Sequence, residues 1–541
     1  MHSLNALVHA ASSIVRQLPP TPSFCISKPS PNILSFAEFD ISPTTGFIPS
    51  TIPLRRLPPP YGPWECALDL VNCGVDSVLA LGEDTSPDGL AKRESGERWR
   101  QNIRDMPVLP TEPMEGCIRQ QRRAHLVLAY LVHFYIHSLA PSTSIAPVVP
   151  APLAIPLVTI SHALGIAPIL TYADTVLWNV TPKNIAQPLA PGNIRILTNF
   201  SGTDDEEAFY EVCAQIELFG AEALHIMAMY QNLNIKDTYR LRLDTLCSVA
   251  ACLGQITTHI EDLTTILKGV HNWCAPKTFY DNIRPWFRGS SSGPIPWVYE
   301  GVTAAHGWKE EWRTLSGPSG GQSTLMHALD AFLDVDHSME KTDDLRTFIT
   351  PRKGNDRSFM RRMQQYMPAV QRAFLDHIGG SSFPIRQFAT SVSNSISPNA
   401  KEVVNKYNSA VIALRKFRDA HLKIACVYIV VQARKAEAEA TFMSPELAVA
   451  PRLPPAPSGC PVSAMLLRLV AEGDADLLAV CPISGMNIKD VPSAPAATPP
   501  SSTHQQSAKS APVIGTGGTD VVSLLRSCRD STSRAIVPTP R

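Results

Sequence analysis

The sequence predicts an all-α fold, a small N-terminal helical domain followed by a large helical one, and three observations carry that reading. Apolar residues recur at three- and four-residue spacing along 64–81, 115–139, 204–233, 237–270, 322–335 and 400–434, the repeat of helices with one buried face. No run of comparable length alternates with period two, the mark of half-buried strands. Proline, at 48 of 541 residues, is nearly double the roughly 5% that is usual, and it is densest at 18–60 and 444–512.

In chain order, 1–34 is expected to be a disordered lead-in and 35–195 the small domain. Residues 6–11 are apolar but carry no basic flank or convincing cleavage site, so no secretory signal is expected. Within the next helix, 126–139 is interrupted by His133 and His137 and falls short of the roughly 20 residues that span a bilayer. It is expected to be a core helix. The large domain, 196–443, opens on Asp204-Asp205-Glu206-Glu207, carboxylates suited to an electropositive helix N-terminus. A Pro-, Ser- and Ala-rich disordered insertion at 444–512 is expected next, then 513–541, a Gly-rich lid loop and a C-terminal helix. No internal repeat is present.

Lys and Arg number 48 against 48 Asp and Glu, so no global field draws the chain to nucleic acid or anionic membrane. Neither is expected as a partner. Charged residues make up 18% and hydrophobic ones 44%, enough for a large core. The 12 cysteines include no Cys-x-x-Cys pair, which excludes a zinc ribbon and a c-type haem attachment site. A reducing, cytoplasmic setting is expected.

Gly317-Pro318-Ser319-Gly320-Gly321 matches the G-x-S-x-G of a serine hydrolase elbow, but such an elbow needs a preceding strand. A tight Gly-rich turn that lets backbone approach a flat ligand fits better. Gly515-Thr516-Gly517-Gly518-Thr519-Asp520 lacks the lysine of a phosphate-binding loop and reads as a lid. His133 and His137, with His125 two turns earlier, have the i, i+4 spacing of a metal face but no carboxylate to complete a ligand set, so core packing is expected. His421 follows Arg418 by three residues on the last long helix. A helical histidine facing an apolar cleft is what axial haem ligation requires.

Tyr61-Gly62-Pro63-Trp64-Glu65, Pro168-Ile169-Leu170-Thr171-Tyr172-Ala173-Asp174, Val298-Tyr299-Glu300-Gly301, Ser319-Gly320-Gly321-Gln322-Ser323, Tyr366-Met367-Pro368, the His421 helix and Gly515-Thr516-Gly517-Gly518-Thr519 are similar, in this order, to the signatures of the indoleamine 2,3-dioxygenase family. The match spans about 35–440 and 513–532. The resemblance implies a monomeric helical protein binding haem b in its large domain. It implies cleavage of the indole C2–C3 bond of L-tryptophan by O2 to N-formylkynurenine, with an electron donor keeping the iron ferrous. Position by position it implies His421 as the proximal iron ligand, Arg418 and Asp330 as an ion pair beside the haem, and Arg284 as the clamp on the substrate carboxylate. Tyr172, Val176, Phe209, Phe279 and Phe287 would line the indole pocket, Ser319 and Gly320 the distal haem face, and Thr516 the closing loop. No side chain is implied as an obligatory acid or base. Cys213 stands where relatives commonly carry serine or histidine, and as a weak donor it would bond dioxygen or substrate poorly. The insertion also looks longer than usual. A haem-binding sensor or scaffold of the same fold, with little turnover, is the alternative; the retained Arg284 and the Gly515 loop argue against it.

Overall fold

Helices form wherever the sequence is periodic, with bounds set by local breakers. The computed structural model describes residues 36–233, 235, 241–337, 359–381, 383–443 and 521–538. The lead-in, the 444–512 insertion and the Gly515 loop with Thr516 lie outside these residues. Twelve helices matter here: α1 (Gly62–Asp69), α2 (Arg93–Arg104), α3 (Ile118–His137), α4 (Ala151–Leu164), α5 (Asp204–Asn232), α6 (Leu243–Lys268), α7 (Thr324–Phe332), α8 (Ala369–Gly379), α9 (Ile385–Val392), α10 (Pro398–Ala425), α11 (Val431–Met443) and α12 (Val521–Ser533). Among the described residues the strands are two-residue pairs: Val148–Val149 runs parallel to Val298–Tyr299, and Val180–Thr181 antiparallel to Arg195–Ile196. The fold is all-α.

One expectation needs correction at the level of elements. The 64–81 helix stops at Asp69, because Gly74 takes a φ of +61° and its backbone meets Gly202, a turn closed to residues with a Cβ. Conversely, α4 forms despite its prolines. Pro152 sits in the first turn, where no N–H is needed, and Pro156 forfeits a single backbone bond.

The core is built around α3, whose residues from Arg122 to Ile136 are all buried, as a helix apolar on every side must be. It contacts α1 and α4; α10 packs on α6, α9 and α12, and α5 on α6. Helix α5 is long and apolar enough to cross a membrane by length and composition, but 67% of its most apolar window is buried in the fold. Its N-terminus is capped as its acidic start predicts: Thr203 Oγ1 accepts from the Glu206 N–H at 3.3 Å, and the Glu206 carboxylate reaches back to the N–H groups of Phe200 and Ser201. Described residues up to 433 and from 521 belong to one compact unit and 434–443 to another.

One buried ion pair fastens α1 to α3. Glu65 accepts from Arg123 Nε at 2.9 Å, from Arg123 Nη2 at 2.6 Å and from the Leu57 N–H at 2.8 Å, with side chains only 7% and 1% accessible. Removing one partner strands the other, at a cost of about 3–5 kcal/mol. Glu65→Ala is therefore expected to lower the free energy of unfolding by about 3 kcal/mol or more in urea titrations; a change under about 1 kcal/mol would show that Arg123 finds water instead.

Candidate active site

A cavity of about 290 Å³ opens between α5, α10, α12 and the 317–326 segment. Its walls follow from helical spacing. On α10, Phe417, Arg418, His421, Ile424 and Ala425 share one face, and on α5 so do Phe209, Val212, Cys213 and Ile216. Three π-helical turns, Ala173–Leu177, Phe279–Ile283 and Cys426–Val430, each add residues to the walls: Thr175 and Val176, Phe279, and Tyr428 with Ile429. Such turns widen a helix locally and re-aim side chains, and they cluster at functional sites.

Of the residues singled out in the sequence, Tyr172, Val176, Phe209, Cys213, Phe279, Arg284, Phe287, Ser319, Gly320, Arg418 and His421 all line this cavity. Asp330 lies one step behind it. Its carboxylate accepts both of its bonds from Arg418 Nη2 at 2.6 Å and contacts His337 Nε2 at 2.9 Å. Burial pushes its pKa up, but Arg418 and His337 together hold it below the usual carboxylate range. Arg418 also donates to Thr532 on α12. Thr175, Tyr210, Ile216 and Tyr428 line the cavity without having been picked out. Ile216 and Tyr428 lie seven residues after Phe209 and His421, so the helical repeat was the signal for both.

The His421 imidazole opens onto the cavity, and among the described residues neither nitrogen has a hydrogen-bond partner. Burial, followed by the nearby Arg418 charge, lowers its pKa to about 4, so a lone pair is available at neutral pH. Arg284 lies against the Tyr280 ring at 5.3 Å; burial lowers its pKa, which Tyr280 partly offsets. No carboxylate is among the described lining residues, which include Arg284 and Arg418, so the field they make suits an anion. Gly320 has nothing within 4 Å of where a Cβ would stand, leaving its backbone open to a flat ligand. Among the described residues no cluster of three or more His, Cys, Asp or Glu assembles that would hold a bare ion. An apolar cavity with one unpartnered imidazole, two arginines and an open glycine fits a flat, anionic macrocycle ligated by a single histidine.

The hydrolase reading falls. Ser319 is extended, with φ −154° and ψ 147°, rather than strained, and its Oγ accepts from the Gly321 N–H at 3.2 Å. Gly317 serves backbone packing: a Cβ there would meet the Phe287 carbonyl at 1.7 Å. Other motifs brace the walls. Gln322 accepts from the Tyr172 N–H at 2.8 Å and donates to the Gly317 carbonyl at 2.9 Å, while the Tyr366 hydroxyl accepts from the Ser316 N–H at 2.7 Å. His125 pairs with Asp174 at 2.7 Å, both fully buried, and His133 and His137 bond to backbone carbonyls.

Glu217 was not foreseen. It lies one turn after Cys213 and accepts from Tyr172 Oη at 3.0 Å and Ser323 Oγ at 2.7 Å, both through Oε1, while Oε2 has no partner. Burial pushes its pKa up from 4.5 to about 7 against those two bonds. A carboxyl whose folded pKa lies above its unfolded one stabilises the fold below about pH 4.5 and loses that contribution as pH rises through about 7. Glu217→Gln keeps the accepting oxygen and removes the titration. Its unfolding free energy, relative to the parent, is expected to rise between pH 5.5 and 8.5; parallel curves would show that the carboxyl is already ionised in the folded protein throughout that range.

The chain matches the family model described as indoleamine 2,3-dioxygenase over residues 35–535. It is 30% identical over 410 residues to the indoleamine 2,3-dioxygenase acdA of Aspergillus candidus, covering 74% of this chain and 89% of that protein. To indoleamine 2,3-dioxygenase 1 of Rattus norvegicus it is 27% identical, covering 93% of this chain and 96% of the relative. To the 6-hydroxytryptophan 2,3-dioxygenase fscD of Fusarium equiseti it is 27% identical, over 73% and 85%.

Proposed function

This chain belongs to the indoleamine 2,3-dioxygenase family, a family of oxidoreductases, and from that premise we propose that it cleaves the indole C2–C3 bond of L-tryptophan with O2 to give N-formylkynurenine. The observation that carries the proposal is the unpartnered His421 imidazole facing a cavity that also holds Arg284. His421 would hold haem b, whose iron would supply the dioxygen chemistry.

The protein's own residues do the rest. Arg284 pairs with the substrate carboxylate, since a guanidinium fork matches two oxygens. Phe209, Phe279, Phe287, Tyr172 and Val176 hold the indole. Ring contacts of 4.9 Å between Phe209 and Phe279 and 6.4 Å between Phe279 and Phe287 support a preformed apolar slot, and such a slot excludes water. Cys213 keeps its proton, because burial and Glu217 push its pKa up to about 12, so it offers only a weak donor. Arg418 and Asp330 tie α10 to α7. A cytoplasmic monomer with an external electron donor, and closure by the loop containing Thr516, complete the proposal. The retained arginine weighs against a sensor or scaffold, which has no need of a carboxylate clamp.

Two variants test the assignment. His421→Ala is expected to abolish the carbon monoxide-sensitive absorption spectrum of the purified protein together with kynurenine formation. A parental spectrum and rate in that variant would remove His421 as ligand. Arg284→Ala is expected to weaken L-tryptophan binding roughly ten- to more than a hundredfold while leaving haem content and the binding of a carboxylate-free indole nearly unchanged. Equal losses for the two ligands would take Arg284 out of the substrate site.

A further inference from the structure

The turn that carries Arg284 is short and irregular. Phe279–Ile283 is π-helical and Arg284–Phe287 is a single tight turn, so the carbonyls that follow leave the helix ladder without intrahelical partners. Two of them are met from α3. His133 Nδ1 lies 2.7 Å from the Trp286 carbonyl and His137 Nε2 lies 2.7 Å from the Arg288 carbonyl. The spacing is i, i+4 on one helix against i, i+2 on the turn, so the two rings straddle it. We propose that His133 and His137 are positioning residues that clamp the Arg284–Arg288 turn and so fix the aim of the carboxylate-binding arginine. The inference rests on the proposed role of Arg284.

The chemistry of the rings suits a clamp. Burial lowers the His133 pKa to about 4 and puts His137 well below its ordinary value, so each ring is neutral and has one N–H. Facing a carbonyl fixes the tautomers in opposite senses, Nδ1–H in His133 and Nε2–H in His137. The His133 Nε2 has no partner, so that ring spends its hydrogen bonding on the turn alone. The surroundings are equally committed. Trp286 stacks on Phe200 at 5.6 Å with 6° between planes, and the Arg288 guanidinium grips Glu83 at 2.6 Å and the Pro285 carbonyl at 3.1 Å. Rings 5.4 Å apart, each already bonded to a carbonyl and with no third ligand among the described residues, leave the metal-face alternative without a donor set there.

The test uses the haem-loaded full chain and isothermal calorimetry with L-tryptophan and with tryptamine, which lacks the carboxylate. His133→Leu removes the donor, His133→Asn retains an N–H near the Nδ1 position, and His137→Leu and His137→Gln form the second pair, should His133→Leu not fold. Arg284→Ala is the reference. The leucine variants are expected to weaken L-tryptophan about three- to tenfold, tryptamine less than about twofold, and the amide variants to recover most of the loss. Equal weakening of both ligands, no weakening, or failure of the amides to rescue overturns the clamp. Discrimination by Arg284→Ala without discrimination by the histidine variants sinks the clamp alone; no discrimination by Arg284→Ala sinks the reading of Arg284 and the clamp with it.

Discussion

The cavity depends on the buried Arg418–Asp330 ion pair. Helix α10 presents its cavity face only if its rotation about its own axis is fixed, and apolar packing against α6 fixes rotation poorly because many side-chain registers bury similar area. Arg418 Nη2, which donates 2.6 Å bonds to both oxygens of one carboxylate on α7, restricts that rotation. Arg418 reaches Thr532 as well, and the Tyr407 hydroxyl, eleven residues earlier, reaches the Leu333 and Ala535 carbonyls at 2.8 and 3.1 Å. These bonds tie α10 to α7 and to the C-terminal segment at two heights. His421, one turn beyond Arg418, inherits its direction. Buried ion pairs contribute little net stability for the desolvation they cost; here the pair specifies which face of α10 meets the cavity.

How much of this was legible in sequence depends on the range of the interaction. Within a helix the repeat is local, so the lining faces of α5 and α10 follow from spacing once His421 and Phe209 are chosen. Helix α2 was missed because it is mostly polar, half of it charged; its buried Gly96, Trp99 and Ile103 carry the repeat through only three positions. Helix α4 was hidden by prolines that normally signal a break. Long-range partners left no trace at all. Nothing near His133 or His137 announces carbonyls about 150 residues away, and Glu217 reads as one polar position on an apolar helix until Tyr172 and Ser323 arrive beside it. The Gly317–Gly321 motif shows the converse, a local pattern whose meaning changed with context: with no strand to strain it, the serine caps a turn and Gly317 admits neighbouring backbone.

The walls divide chemically into two ends, and that division bears on what the proposed site discriminates. Around Cys213 the donors are weak or engaged: the thiol stays protonated, and the Tyr172 and Ser323 hydroxyls are both spent on Glu217. Around Arg284 the wall carries a cation on a turn held by Trp286, Arg288 and the α3 histidines. Fixing a substrate in one orientation takes at least one directional contact, since apolar burial alone is indifferent to rotation of a flat ring. With few donors at the Cys213 end, that directional contact falls to the arginine end, and selectivity should follow the amino-acid portion of the substrate more closely than substituents on the indole ring. The pocket would then tolerate changes on the ring that it could not tolerate at the carboxylate, which is why the rigidity of the turn that carries Arg284 would matter to the proposed reaction.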